Sequence, residues 1–154
     1  MSMDALKELF AKSGLKFTTQ RYLVYKAMTT TRDHPSAETV WRRVRETAPA
    51  ISLDTVYRTL SALEARGLVS RVPCGGDEGR FDGDVTPHHH LVCLSCGRIE
   101  DFTMPGADLD DLPPAVAAWG VPRDAQILVR GVCRACLSRM HNVNPQENQR
   151  SQSK

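Results

Sequence analysis

Apolar residues in the first half of the chain recur at spacings of three and four. Over residues 3–13, Leu6, Leu9 and Phe10 share one face with charges opposite, and Gly14 follows where a helix would be capped. The run from Thr18 to Arg21 opens a second helix carrying Leu23, Val24, Ala27 and Met28, which the polar stretch 29–35 ends. Ser36 is a favoured N-cap for a third helix, with Glu38 and Thr39 in its first turn and Val40, Trp41 and Val44 expected to be buried. Pro49 closes it. The clearest helix runs from its cap Ser52 to its stop Gly67, with Val56, Leu60 and Leu63 as the apolar stripe. Residues 68–72 and 80–82 then read as two short strands around a glycine-rich turn from Cys74 to Gly79.

Further on, residues 88–93 and 98–102 alternate as a second hairpin. A helix over 108–119 (despite Pro113 and Pro114), a strand over 125–132 and a short helix over 133–140 follow. Several helices followed by a hairpin is a winged helix-turn-helix arrangement, in which the helix from Ser52 enters the DNA major groove. The pattern therefore predicts an α+β fold. Residues 1–82 form a winged-helix domain, 83–87 a hinge, 88–141 a small α/β dimerisation and metal-binding domain, and 142–154 a polar, disordered tail. A three-stranded sheet with short helices buries too little alone, so a homodimer is expected.

Charge sharpens this division. Residues 1–75 carry twelve Lys/Arg against seven Asp/Glu, whereas residues 76–141 carry six against ten. A basic first half suits a polyanion and an acidic second half suits cations. The face of the Ser52 helix opposite its stripe presents Asp54, Thr55, Tyr57, Arg58 and Ser61, side chains able to meet phosphates or base edges. With Arg21 and Ser52 they are the candidate DNA contacts, although such residues also make an ordinary solvated face. No apolar run approaches the roughly 20 residues needed to cross a membrane, and no signal peptide opens the chain, so a cytoplasmic protein is expected.

The densest chemistry lies at 88–100, HHHLVCLSCGRIE. Cys93 and Cys96 form one CxxC pair there, and Cys133 and Cys136 form a second after 36 intervening residues. Two such pairs can close a tetrahedron of thiolates around zinc, each pair turning its sulfurs one way. Disulfides would need an oxidising compartment, and a thioredoxin-like CxxC would need a βαβ setting that neither pair has. Four cysteines leave no open coordination position, so such a zinc is structural. The neighbouring histidines need their own explanation. A metallohydrolase built on His88, His90 and an aspartate is one, but there is no HExxH and no nucleophile beside a base. A metal-storage or delivery protein is another; both leave the basic half without a role.

Three segments, DTVYRTL at 54–60, HHHLVCLSCG at 88–97 and CRAC at 133–136, resemble the ferric-uptake-regulator (Fur) family of metal-responsive bacterial repressors in order and spacing. The similarity covers roughly Leu6 to Met140. It implies a winged-helix domain hinged to a dimerisation domain, double-stranded operator DNA (an AT-rich inverted repeat) as partner, and a structural Zn2+ on Cys93, Cys96, Cys133 and Cys136. It also implies a regulatory Fe2+ or Mn2+ on His34, Asp82, His88, His90 and Asp101. Taken singly these residues have plainer readings: His34 beside Pro35 as an exposed loop histidine, Asp82 as the end of a wing strand, Asp101 as surface charge. Strand alternation puts His88 and His90 on one face and His89 on the other, so His89 is left out. Imidazoles and carboxylates without thiols suit Fe(II) or Mn(II).

Within the family, Asp at position 101 resembles the peroxide-sensing PerR-like branch, whereas iron-uptake regulators usually carry Glu. The additional histidine of iron regulators, in the strand before the second CxxC, is replaced here by the Ala125–Gln126 region. The resemblance therefore implies a repressor that senses hydrogen peroxide by Fe(II)-dependent oxidation of His34 or His88. An iron- or manganese-uptake regulator is the alternative. A zinc-uptake regulator, which carries a cysteine where Asp82 stands, fits less well, because Cys74 lies eight residues too early.

Overall fold

A computed structural model describes residues 2–74, 79–106 and 112–142 and divides the chain into two compact units, Met1–Pro87 and His88–Lys154. The tail beyond 142 and the tip of the 74–79 turn lie outside the described residues.

The first unit opens with four helices, α1 (Met3–Lys12), α2 (Thr19–Thr29), α3 (Ala37–Arg45) and α4 (Leu53–Glu64). Each starts from a side-chain cap: Ser2, Thr18, Ser36 and Ser52 accept from the backbone N–H groups of Ala5, Arg21, Thr39 and Thr55. Such caps satisfy donors that the first helical turn leaves open, at about 1 kcal/mol apiece. The helices bury their stripes together. Phe10, Val24, Met28, Val40, Val56, Leu60 and Leu63 are fully enclosed, with Phe81 from the hairpin sealing the core. Tyr25, which the periodicity did not single out, is also buried and meets Phe10 edge-on at 5.6 Å. Trp41 departs from expectation and is only half-buried. Its Nε1 donates to the Ile51 carbonyl at 3.0 Å and the Arg45 guanidinium lies 4.5 Å over its ring, so one edge is kept polar. The hairpin of β1 (Ser70–Val72) and β2 (Arg80–Asp82) is antiparallel, pairing Arg71 with Phe81, and completes a winged helix.

The second unit holds a three-stranded sheet in the order β4 (Ile99–Phe102), β3 (His89–Cys93), β5 (Leu128–Gly131). Strands β3 and β4 are antiparallel, pairing His90 with Asp101; β3 and β5 are parallel, pairing Cys93 with Gly131. The helix expected over 108–119 is shorter. α5 spans Pro114–Trp119, because Pro113 and Pro114 cannot donate within a helix and act at its start instead; residues 107–111 lie outside the described set. The strand expected over 125–132 is likewise trimmed at both ends to β5, the stretch with a ladder partner in β3. The chain ends its described part with α6 (Arg134–Asn142). No helix among the described residues is long and apolar enough to cross a membrane.

Candidate metal centres and nucleic-acid interface

The parallel pairing of β3 and β5 explains how two distant CxxC pairs meet. Cys93 closes β3, and its register partner Gly131 closes β5 two residues before Cys133. Cys96 sits in the β3–β4 turn, where Gly97 (φ +70) donates to the Cys93 carbonyl, and Cys136 sits in the first turn of α6. The four sulfurs all lie within 4.8 Å of one another, and Cys96 and Cys133 are 3.9 Å apart. Tetrahedral zinc, with Zn–S bonds of about 2.3 Å, places its sulfurs about 3.8 Å apart, the spacing that Cys96 and Cys133 already have.

Hydrogen bonds already favour charge on two of these sulfurs, Cys93 and Cys136. The Cys133 backbone N–H, 3.3 Å from the Cys93 sulfur, and then the Cys96 N–H hold the Cys93 thiol down to about 6. The Ser95 hydroxyl and then the Arg139 guanidinium, 3.0 Å from the Cys136 sulfur, lower the Cys136 thiol too. At Cys96 the Arg98 backbone N–H favours the thiolate, but the neighbouring Cys93 and Cys136 sulfurs outweigh it and push the thiol up to about 11. So many sulfurs cannot all ionise together unless a cation joins them. Cys74, half-buried after β1, stands apart from this cluster within the first unit, and no disulfide is present among the described residues.

Each unit also carries its own nitrogen and oxygen donors. In the first, His34 occupies the loop between α2 and α3 with a positive φ of 49°, a rare conformation for a residue with a side chain. Contrary to the reading of an exposed loop histidine, its side chain is 1% exposed, with Nε2 3.4 Å from Asp82 Oδ2. Asp82 ends β2 and accepts from the Asp84 N–H at 2.8 Å. In the second unit, His88 and His90 share one face as strand alternation requires, their Nε2 atoms 3.0 Å apart, and each lies 3.6 Å from Asp101 Oδ1. Neighbouring donors in an octahedron with bonds of about 2.1 Å are about 3 Å apart, a spacing that the two histidine nitrogens match and that the Asp101 oxygen, 3.6 Å from each, exceeds. His89 points the other way: its Nδ1 accepts from the Ile127 N–H at 3.2 Å and its ring packs on Phe102.

On α4 the outward face carries Asp54, Tyr57 and Arg58, with Arg58 and Asp54 forming an exposed i,i+4 pair at 3.5 Å. Thr55 is half-buried, and Ser52 is committed to its cap through the Thr55 N–H and hydroxyl. Arg21 donates to the Lys16 carbonyl at 2.7 Å and is half-buried near the start of α2. The sequence offers no role for Arg80 or Arg139, and it marks Gly83 only as the first residue of a hinge, not for its close approach to the Met28 backbone. The partners of Arg80 and Gly83 are backbone atoms more than forty residues away, and Arg139 meets the Cys136 sulfur one helical turn before it.

A winged-helix unit and a sheet unit with a tetrathiol cluster, in one chain, define a metal-dependent DNA-binding transcription regulator. The chain belongs to the Ferric uptake regulator family, whose profile matches residues 12–117. The Peroxide operon regulator of Bacillus subtilis is 30% identical over 136 residues, which cover 88% of this chain and 90% of that protein. Among solved structures, the Campylobacter jejuni peroxide stress regulator superposes with a TM-score of 0.66 at 26% identity, covering 88% of this chain and all (100%) of that one. The Pseudomonas aeruginosa Ferric uptake regulator, solved with manganese, gives a TM-score of 0.71 at 26% identity, with 87% and 99% covered. Members of the family are dimeric, DNA-binding transcription regulators and not enzymes, which sets aside the metallohydrolase reading.

Proposed function

We propose that this chain is a cytoplasmic, homodimeric repressor that holds operator DNA while metal is bound and releases it when hydrogen peroxide oxidises one of its histidines. The observation that carries the reading is the donor chemistry. His34 with Asp82, and His88 and His90 with Asp101, are preformed sets of nitrogen and oxygen without a thiol. Similarity to the B. subtilis and C. jejuni peroxide regulators supports the same branch.

In this proposal Cys93, Cys96, Cys133 and Cys136 hold a structural zinc. His34, Asp82, His88, His90 and Asp101 together hold one regulatory Fe(II) or Mn(II). Residues 83–87 act as the hinge between domains 1–82 and 88–141. An ion shared by all five residues would fix the orientation of the two DNA-reading helices in a dimer, and so the half-site spacing it accepts. The contacts to an AT-rich inverted repeat come from Arg21, Ser52, Asp54, Thr55, Tyr57 and Arg58. Fe(II), when bound, supplies the reducing electrons for peroxide cleavage, which a Mn(II)-loaded protein lacks. By resemblance to the peroxide-sensing branch, His34 or His88 is the ring that takes up the oxygen. A ring so modified is a poorer ligand, and metal and DNA are lost together by linkage.

Anaerobic loading with Fe(II), a small excess of peroxide and peptide mass spectrometry test this directly. One added oxygen on the peptide of His34 or His88, with loss of DNA binding, is the expected result. Unmodified histidines with DNA still bound would instead assign the chain to iron or manganese uptake control, the reading that likeness to the manganese-loaded P. aeruginosa regulator favours.

A further inference from the structure

Arg80 reaches 46 positions back along the sequence to the loop that carries His34. Its Nε donates to the His34 carbonyl, and its Nη2 donates to the Asp33 carbonyl at 3.0 Å. Its backbone forms an isolated antiparallel bridge with Ser36, and the next N–H, of Phe81, donates to the Pro35 carbonyl at 3.1 Å. The loop is thus fastened along the edge of β2 that β1 leaves open.

His34 requires such fastening. A φ of +49° is disfavoured for any residue with a Cβ, so its surroundings must impose it. A guanidinium can meet two successive carbonyls at once through its rigid fork, whereas a lysine ammonium offers a single point of charge. The same short strand supplies the partner of the ring. Asp82 lies two residues beyond Arg80, on the same side of β2, and its carboxylate is 3.4 Å from His34 Nε2. Past Asp82, a Cβ at Gly83 would come within 2.5 Å of the Met28 carbonyl oxygen, so the end of the strand is pressed against the backbone of α2 and has little room to shift.

We propose that Arg80 is a positioning residue for the His34–Asp82 pair. By holding the Asp33 and His34 carbonyls it presets the His34 ring against Asp82 before metal arrives, and it ties that half of the ligand set to the wing strands. The proposal rests on the reading of His34 and Asp82 as regulatory metal ligands. It makes the wing, and not only the recognition helix, responsive to metal.

The test titrates the zinc-loaded full chain with Mn(II), following free ion by electron paramagnetic resonance, in R80Q, R80K and H34A. Mn(II) binding in R80Q is expected to weaken by about tenfold or more, the usual cost of losing an outer partner of a ligand, with R80K between R80Q and the parent. Zinc content and helical circular dichroism should stay at parent values. The rise in melting temperature on adding Mn(II) should shrink in R80Q. An R80Q affinity within about twofold of the parent overturns the proposal, as does a lower apo melting temperature with unchanged Mn(II) affinity, the mark of a structural role alone. Should R80Q not fold, R80K decides by the same comparison. Weaker binding in H34A with none in R80Q removes Arg80's role and leaves the ligands standing. Unchanged binding in H34A removes the ligand assignment itself, and this proposal with it.

Discussion

In the unit ending at Pro87, seven large apolar side chains from four helices have no exposure at all and form one continuous core. From His88 onward, the buried apolar residues among those described are Val92, Cys93, Ile99 and Cys136, and two of these four are thiols of the CxxC cluster. Leu91 and Val129, register partners on β3 and β5, stay substantially exposed at 39% and 46%, and Trp119 is 82% exposed. The first unit can be stabilised by burial alone, at about 1.5–3 kcal/mol for each large side chain enclosed. The second cannot. Its four sulfurs offer a metal crosslink in place of a core, and its exposed sheet residues suit the dimeric state of the family. One chain thus holds two folds whose stability depends on different solution conditions.

The largest expected effect separates the two units. Cys136→Ser should abolish zinc binding and with it a contribution on the order of 10 kcal/mol to the second unit. In hydrogen exchange, β3, β4 and β5 should lose protection while α2, α3 and α4 keep theirs; loss in both would show that the first core is not self-sufficient. Leu60→Ala is the reciprocal experiment. It opens a cavity in a fully buried site and should cost about 2–5 kcal/mol in urea denaturation of the first unit, with zinc content unchanged. Val129→Asp should weaken dimerisation at least tenfold in sedimentation, about 1.4 kcal/mol, and leave the Leu60 core untouched. A dimer as tight as the parent's would place the interface elsewhere.

The smallest effect concerns acid. Asp33 is paired with Arg43, whose guanidinium, bonded to it, holds the Asp33 carboxyl down to about 2 from its ordinary 3.8. A depressed acid stabilises the fold above its unfolded value and ceases to do so as pH falls through the folded one. The contribution is therefore complete above about 3.8 and lost toward 2. The carboxylate is 52% exposed, so solvent screening limits it to about 0.5 kcal/mol or less. Asp33→Asn should flatten the stability profile of the first unit between those two values, measured by denaturation in acid, and do nothing at neutral pH beyond this small loss.

Legibility in the sequence followed the range of the interactions. Ser36 and Ser52 were readable as caps because a cap acts within three residues, and the α4 stripe because its period is local. The two CxxC pairs announced their chemistry by spacing, although only the parallel register of β3 and β5 explains how they meet. Trp41 was misjudged because its apolar bulk is visible in sequence but its hydrogen bond to Ile51, ten residues away, is not. The helix expected over 108–119 is shorter because Pro113 and Pro114 set its start at Pro114. His34 was the hardest case. Nothing in a polar loop signals burial, and the strand that encloses it lies more than forty residues later.

The parallel alignment of β3 and β5 also bears on how the protein is made. The middle strand of the sheet has one neighbour nearby in sequence and the other almost forty residues downstream, and the sulfur cluster is complete only once Cys136 has been synthesised. Elongating from its N-terminus, the chain releases every residue of the first core from the ribosome before the second sheet has its third strand. The DNA-reading unit can therefore reach its native form during translation, while the metal-bearing unit must wait, unfinished and with its apolar strands open, for the last cysteine.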